Sequence, residues 1–333
     1  MREPAMTDVA RLAGVSHQTV SRVLNDNPNV RETTRVRVRA AIATLGYRPN
    51  RAARTLATGR SQTIGVLAQS STLYGPASTL AAFEVAAAAA GFGVNVGSVR
   101  SMDRHSVTEA ANRHLDQRVA GLVVLAPVES ANAALDDLTA DLPTVTIDGD
   151  PDRPAALVRI DQEWGGHRAT SALLEAGHRT VWHVSGPPDW FDSRGRVQGW
   201  RRALKEAKAE EPPLIQADWS AAAGYRAGLM LARMPEVTAI FAANDHLALG
   251  VLRALHERGR RVPDDVSLIG FDDVPEAAYY FPPLTTIRPD FDAVAEASLE
   301  LLLSQLESGQ RGVGRRTITP TLSQRSSVAP PPA

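Results

Sequence analysis

Residues 6–25 read Met6-Thr7-Asp8-Val9-Ala10-Arg11-Leu12-Ala13-Gly14-Val15-Ser16-His17-Gln18-Thr19-Val20-Ser21-Arg22-Val23-Leu24-Asn25, a pattern of two short helices broken by a tight turn. Thr7 or Asp8 is placed to cap a first helix carrying Val9, Ala10, Leu12 and Ala13, and Gly14 suits the turn that follows. Ser16 caps a second helix in which Val20, Val23 and Leu24 share one face, while His17, Gln18, Ser21 and Arg22 point away and are free to make contacts. Beyond the loop from Asn25 to Asn29, a third helix presents Val36, Val38, Ala41, Ile42 and Leu45 and stops at Gly46. Residues 1–47 are therefore expected to form an all-α helix-turn-helix domain.

The residues that follow do not continue it. Arg48-Pro49-Asn50 breaks the third helix, and Arg51 to Leu56 offers only one or two turns, too few to hold together alone in water. We expect residues 48–61 to be a linker whose order depends on a partner. Charge separates the same region from the rest. Residues 1–60 hold 11 arginines and 4 acids, a formal +7, whereas the whole chain of 333 residues carries −1, which leaves −8 on the remainder. A basic head on an acidic body points to a polyanionic partner for the head alone.

From residue 62 onward β-rich runs alternate with helical stretches. The expected strands are Thr63–Ala68, Gly93–Val96, Gly121–Leu125, Thr144–Ile147, Leu157–Ile160, Thr180–Val184, Ala239–Ala242 and Val266–Phe271, with helices such as Ser78–Ala90, Gly165–Glu175 and His246–Glu257 between them. Alternation of this kind implies α/β architecture with doubly wound parallel sheets, and roughly 260 residues suit two lobes better than one. The end, with Pro320 and Pro330-Pro331-Pro332, is expected to be a disordered tail over 320–333. No apolar run approaches the roughly 20 residues that span a bilayer, and the first ten residues lack a secretory apolar stretch, so the expectation is a cytoplasmic, nucleoid-associated chain with no membrane partner. Cysteine is absent, which removes disulfides and thiolate metal sites.

In open α/β sheets ligands bind outside the carboxyl ends of the strands. Asp148 follows one expected strand, Ser185-Gly186 another, Asn244-Asp245 a third and Asp272-Asp273 a fourth, with Arg194 and Arg196 close behind the second. Carboxylate, guanidinium and carboxamide together make paired hydrogen bonds to neighbouring hydroxyls, as a polyol or sugar requires. Trp219 and Phe291 are candidate faces for a ring's C–H surface. An aspartate after a strand is also the commonest helix cap, and Arg196 is spaced to pair with Asp192, so each residue alone has a purely structural reading.

Enzymatic chemistry finds less support. There is no phosphate-cradling glycine loop and no G-x-S-x-G elbow. His178 and His183 are five apart, a spacing that sends strand side chains to opposite faces, and both are read as structural, with no metal and no cofactor expected. A glycosidase built on Asp148, Asp272 and Asp273 is a minor alternative, because adjacent strand-end carboxylates point apart.

The stretches Asp8-Val9-Ala10, Ala13-Gly14-Val15-Ser16, Gln18 to Asn25 and Tyr47-Arg48-Pro49-Asn50 resemble the LacI/GalR family of bacterial transcription regulators. Ala243-Asn244-Asp245, Ala248-Leu249-Gly250 and Pro282 to Ile287 extend the resemblance through the body, and Ala217 to Ala221 and the Pro76 region make its lactose-responsive branch the nearest in appearance. The resemblance implies two lobes of periplasmic-binding-protein type, with lobe N about 62–160 plus 290–319 and lobe C about 161–289, that bind sugar and dimerise. It implies a sequence-specific repressor of double-stranded operator DNA, relieved by a small sugar or glycoside, probing the major groove with residues 18–24.

On that resemblance the DNA contacts are Thr7, Ser16, His17, Gln18, Thr19, Ser21, Arg22, Asn25, Asn29, Arg31, Tyr47 and Asn50, with Arg51, Ala53, Arg54 and Leu56 forming a hinge helix. Gln18 would bond adenine, Arg22 guanine, and Leu56 would wedge into a minor-groove step. His17 stands where lactose-responsive members carry tyrosine, which alters the expected operator, and Arg31 replaces a capping serine. The ligand residues implied are Asp148, Arg196, Asn244 and Asp272 as hydroxyl binders and Leu73, Tyr74, Pro76, Ile160, Trp219 and Phe291 as walls, favouring a galactoside-like inducer. Tyr74 replaces a histidine and Ile160 a phenylalanine, which changes the aglycone side. C-terminal heptads are missing, so the expectation is a homodimer. A member that needs a corepressor, a sugar phosphate or purine, is the alternative.

Overall fold

The computed structural model describes residues 4–24, 26–47, 61–69, 72–126, 128–131, 142–153, 155–310 and 312–332. They form two compact units divided between Gln62 and Thr63. The sequence positions Asn25, Asn50, Arg51, Ala53, Arg54 and Leu56, and the expected hinge helix, lie outside the described residues.

The head comprises α1 (Met6–Ala13), α2 (His17–Leu24) and α3 (Glu32–Leu45). Its core is Val9, Ala10, Ala13, Val20, Val23, Val38, Ala41 and Tyr47. Two details depart from expectation. The cap of α1 is Ala5 rather than Thr7 or Asp8; Asp8 lies three residues inside and accepts a hydrogen bond from the Ala5 N–H at 2.9 Å. Leu12 and Val36, expected on the buried faces, are 53% and 58% exposed, because Val9 with Ala13 and Val38 with Ala41 set the contact faces. Ser16 caps α2 as expected, accepting from Thr19 N at 3.1 Å, and Gly46 ends α3 at φ 61°.

In the body, the first lobe is a six-stranded parallel sheet, ordered β11-β5-β4-β3-β1-β2. Its strands are β1 (Thr63–Gln69), β2 (Gly93–Val99), β3 (Leu122–Leu125), β4 (Thr144–Ile147), β5 (Leu157–Ile160) and β11 (Arg315–Ile318). The second lobe orders β12-β10-β9-β8-β6-β7, from β6 (Trp182–Ser185), β7 (Ile215–Gln216), β8 (Ala239–Ala242), β9 (Ser267–Phe271), β10 (Thr285–Arg288) and β12 (Thr321–Ser323). Among the described strand pairs only β10–β12 is antiparallel. Strands such as β3, β6, β8 and β9 are buried along their whole length, the pattern of parallel strands covered on both faces.

Four helices position the interlobe region: α4 (Tyr74–Ala89), α6 (Gln162–Glu175), α7 (Phe191–Glu206) and α9 (Asp245–Glu257). The remaining named helices are α5 (Arg104–Asp116), α8 (Ala221–Leu231) and α10 (Phe291–Ser308). α6 and α7 approach so closely that a Cβ on Gly199 would sit 2.0 Å from the Glu163 carbonyl oxygen, and one on Gly166 would sit 2.3 Å from the Arg196 carbonyl oxygen. Glycine there trades helix propensity for backbone contact.

The C-terminal expectation is corrected. Residues 321–323 add a strand to the second lobe, and the chain continues along it. Ser327 is fully buried: its hydroxyl donates to Leu268 O at 2.6 Å and accepts from Thr285 N at 2.8 Å. Arg325 donates to Asp273 at 2.6 Å and to Leu284 O at 2.7 Å. Proline-rich composition set no limit here, because these tertiary hydrogen bonds satisfy the backbone that a loose tail would give to water.

Candidate functional site: the interlobe cleft and the helix-turn-helix face

Asp148 and Asp272 each stand one residue beyond a strand, and each keeps the ladder for that residue: Asp148 N donates to Val158 O at 3.0 Å and Asp272 N to Ile287 O at 2.9 Å. The backbone then turns with positive φ, 52° at Asp148 and 103° at Asp272. Such conformations cost of order 1–3 kcal/mol without glycine, and they persist where the surroundings hold them. Between the two lies Arg196, 4% exposed. Its Nε donates to Gln162 Oε1 at 2.9 Å and its Nη1 to the Ala243 carbonyl. Its Nη2 lies 3.8 Å from Asp272 and 3.9 Å from Asp192, and the guanidinium stacks 3.6 Å over the Phe271 ring. The α6–α7 glycines bring Gln162 and Arg196 into this register.

Three carboxylates thus crowd one guanidinium. Burial, and then the neighbouring Asp192, push the Asp148 carboxyl up to about 8. Burial pushes Asp272 up to about 7 against the pull of Arg196, and raises Asp192 as well. Burial thus favours the protonated form of all three carboxyls beyond the ordinary aspartate range.

Two adjoining cavities open on this cluster. An outer one of about 300 Å³ is bounded by Asp148, Ile160, Gln162, Asp192 and Arg194 among others. An inner one of about 30 Å³ is bounded by Pro76, Asp148, Gln162, Asp192, Arg196 and Asp272, with Phe291 and Ile160. The sequence candidates Pro76, Asp148, Ile160, Arg196, Asp272 and Phe291 therefore converge. Leu73 and Tyr74, at the start of α4, pack against the core of the second lobe, with Tyr74 edge-on to Phe291 at 5.9 Å.

Trp219 and Asn244 lie behind the cavity walls. Trp219 covers Gly186, where a Cβ would come within 2.3 Å of its ring, and lies 5.4 Å from the Arg196 guanidinium. Asn244 caps α9, accepting from Leu247 N at 2.8 Å, and donates to Trp219 O at 3.2 Å. Asp245 and Asp273 turn away: Asp245 accepts from Thr286 and Val274, and Asp273 pairs with Arg288 and Arg325. Neither histidine lines the cavities; His178 joins Thr238 to Ala329 O, and His183 bonds Phe241 O and stacks on its ring.

Sequence reasoning missed Gln162. It started the helix at Gly165, three residues late, although Asp161-Gln162 follows a strand in the same way as Asp148 does. In the sequence Asp192 stands out only as a residue spaced to pair with Arg196.

In the head, His17, Gln18 and Arg22 are exposed on α2 and Ser21 is half-buried beside them. Ser16 and Thr19 bond one another at 2.9 Å. Thr7, Asn29 and Arg31 are exposed, while Tyr47 is 9% exposed and packs in the head's core. Among the described residues Arg22, Arg31 and Arg37 make no ion pair, whereas Arg35 and Arg39 hold Asp26 at 3.1 and 3.2 Å. These exposed guanidinium groups, Arg22 of them on α2, suit a phosphate-bearing or base-bearing partner.

Comparison with known proteins agrees with both units. Residues 5–50 match the profile of "Bacterial regulatory proteins, lacI family", and residues 170–328 that of a periplasmic binding protein-like domain. The chain is 34% identical to the lactose operon repressor of Escherichia coli (strain K12), covering 99% of this chain and 92% of that one. It is also 34% identical to the HTH-type transcriptional repressor PurR of Vibrio atlanticus (strain LGP32), covering 96% and 97%. A crystal structure of the lac repressor dimer bound to operator and the anti-inducer ONPF superposes with a TM-score of 0.88 at 34% identity, over 98% of this chain and 100% of that one. A helix-turn-helix head, two parallel-sheet lobes and near full-length identity above 30% leave one assignment: the chain belongs to the lacI family of bacterial regulatory proteins.

Proposed function

We propose that the chain is a homodimeric transcriptional repressor whose hold on operator DNA is released by a small polyhydroxylated effector of galactoside type, bound in the interlobe cleft. The observation that carries the reading is the buried Arg196, fixed by Gln162 and facing Asp148, Asp192 and Asp272 across cavities that open between the lobes. Groups of this kind donate and accept in pairs, which matches vicinal hydroxyls. The lactose operon repressor among the relatives supports a galactoside. The operator complex among the structural neighbours supports a dimer on DNA, as do Tyr279 and Phe281, 88% and 96% exposed, which give the body apolar surface for a second copy to cover.

Gln18 and Arg22 read bases from the major groove, one suited to adenine and the other to guanine, while the exposed Arg31 and Arg37 are available to phosphates. The effector favours a lobe arrangement that the DNA-bound dimer disfavours, and only that difference in affinity releases the DNA. The test is binding of the full-length chain to an operator it selects from a random library, with and without a galactoside. At least tenfold weaker binding with the sugar is expected. Tighter binding would replace this reading by the corepressor one, and no change would reject a galactoside effector.

A further inference from the structure

The inner cavity holds about 30 Å³, room for one or two water-sized groups but not for a sugar ring, whereas the outer cavity of about 300 Å³ accommodates a ring at the small end of ligand sites. Asp148, Asp192, Ile160 and Gln162 border both, so a substituent on a ring in the outer space projects into the inner one. The charge there is unbalanced. Asp148, Asp192 and Asp272 line the inner cavity with Arg196 as its one basic residue, 3.8 and 3.9 Å from two of them; Arg159, which also acts on Asp148, and Arg194 lie at the outer cavity beside a larger number of acids.

A separate observation shows that this space is built for a ligand. Gln162 is 7% exposed, and its Oε1 is committed to Arg196 Nε, which fixes the orientation of the amide. Its Nε2 donor, buried at the cavity wall, has no hydrogen-bond partner. A buried orphan donor in a folded protein calls for an acceptor, and a ring hydroxyl in the outer cavity supplies one.

We infer that the preferred effector is an amino sugar: a hexose whose protonated amine enters the inner cavity among Asp148, Asp192 and Asp272, while a ring hydroxyl accepts from Gln162. The inference rests on the sugar-effector reading of the cleft and narrows it. A neutral hydroxyl leaves the acid excess uncompensated, and the surplus carboxyls must keep protons, consistent with their upward shifts. An ammonium group compensates one of them directly. A sugar phosphate adds like charge to a site already rich in it and is excluded.

The test is calorimetric titration of the full-length protein at pH 7 with galactosamine and glucosamine, each against its parent hexose, its N-acetyl derivative and its 6-phosphate. One amino sugar is expected to bind at least tenfold more tightly than its uncharged counterparts. Asp192→Asn, verified as folded by its melting transition, is expected to bring that ratio to about one; should the variant not fold, the ratio in the unaltered protein decides. Equal or tighter binding of a parent hexose or N-acetyl derivative overturns the inference and leaves the sugar-effector reading intact. Preference for a phosphate overturns it as well. If no hexose derivative binds, both fall together.

Discussion

Replacing Asp148 by asparagine removes a titration that folding now has to suppress. An aspartic acid ionises near 3.8 in the unfolded chain and near 8 in the cleft. Between those values the folded protein keeps a proton that the unfolded chain has lost, so stability is fully present below about pH 4 and falls as pH rises to about 8. At pH 7 the difference spans about three pH units, each about 1.4 kcal/mol, for an upper bound of about 4 kcal/mol. Asp148 keeps partial access to solvent and feels the charge of Asp192, and solvent screening reduces the figure to about 2 kcal/mol. Asparagine preserves the oxygen that accepts from Ile160 N at 3.1 Å, so the packing is retained. All five tryptophans lie between residues 164 and 219, and their fluorescence follows the body during urea unfolding. The variant should gain about 2 kcal/mol at pH 7, about 4 °C in melting temperature, with a gain that grows from pH 5 to pH 8. A gain that is absent, or as large at pH 5 as at pH 8, would refute the reasoning.

Three further outcomes follow from particular contacts. Arg196→Met should abolish the effector response while leaving DNA binding by the head intact, measured as operator affinity with and without sugar; an unchanged dose response would remove Arg196 from the site. Gly199→Ala puts a methyl 2.0 Å from a backbone oxygen and should cost roughly 1–3 kcal/mol in urea unfolding by forcing α6 and α7 apart; an unchanged midpoint would mean that the helices shift freely. Ser327→Ala deprives Thr285 N of its acceptor and Leu268 O of a donor and should destabilise the body by about 1–3 kcal/mol, against no change if the C-terminal segment contributes nothing.

Much of this architecture is readable in the chain because its parallel strands are short runs rich in β-branched and apolar residues between helical stretches. Thr144–Ile147, Leu157–Ile160 and Ala239–Ala242 coincide with the strands found. Helix starts are less legible. Gly165-Gly166 reads as a boundary, yet these glycines sit inside α6, Gly165 against the Phe271 ring and Gly166 against the α7 backbone, and the true start places Gln162 at the cleft. The same displacement hides Tyr74 and Pro76 in the first turn of α4. The role of the last residues is invisible locally, since Ser327 and Arg325 are held by partners about 40 to 60 residues away. The charged cluster is half legible: Asp148, Arg196 and Asp272 follow strands, but the third carboxylate, Asp192, becomes significant only when the fold buries it beside Arg196 and Asp148.

The central claim is that the cleft and the DNA-reading face are thermodynamically coupled. Effector affinity measured by calorimetry on the free protein and on the same protein saturated with its selected operator tests it most directly, because linkage requires the coupling to be reciprocal. Operator is expected to weaken effector binding by the factor by which effector weakens operator binding. Identical effector affinity in the two samples would contradict it.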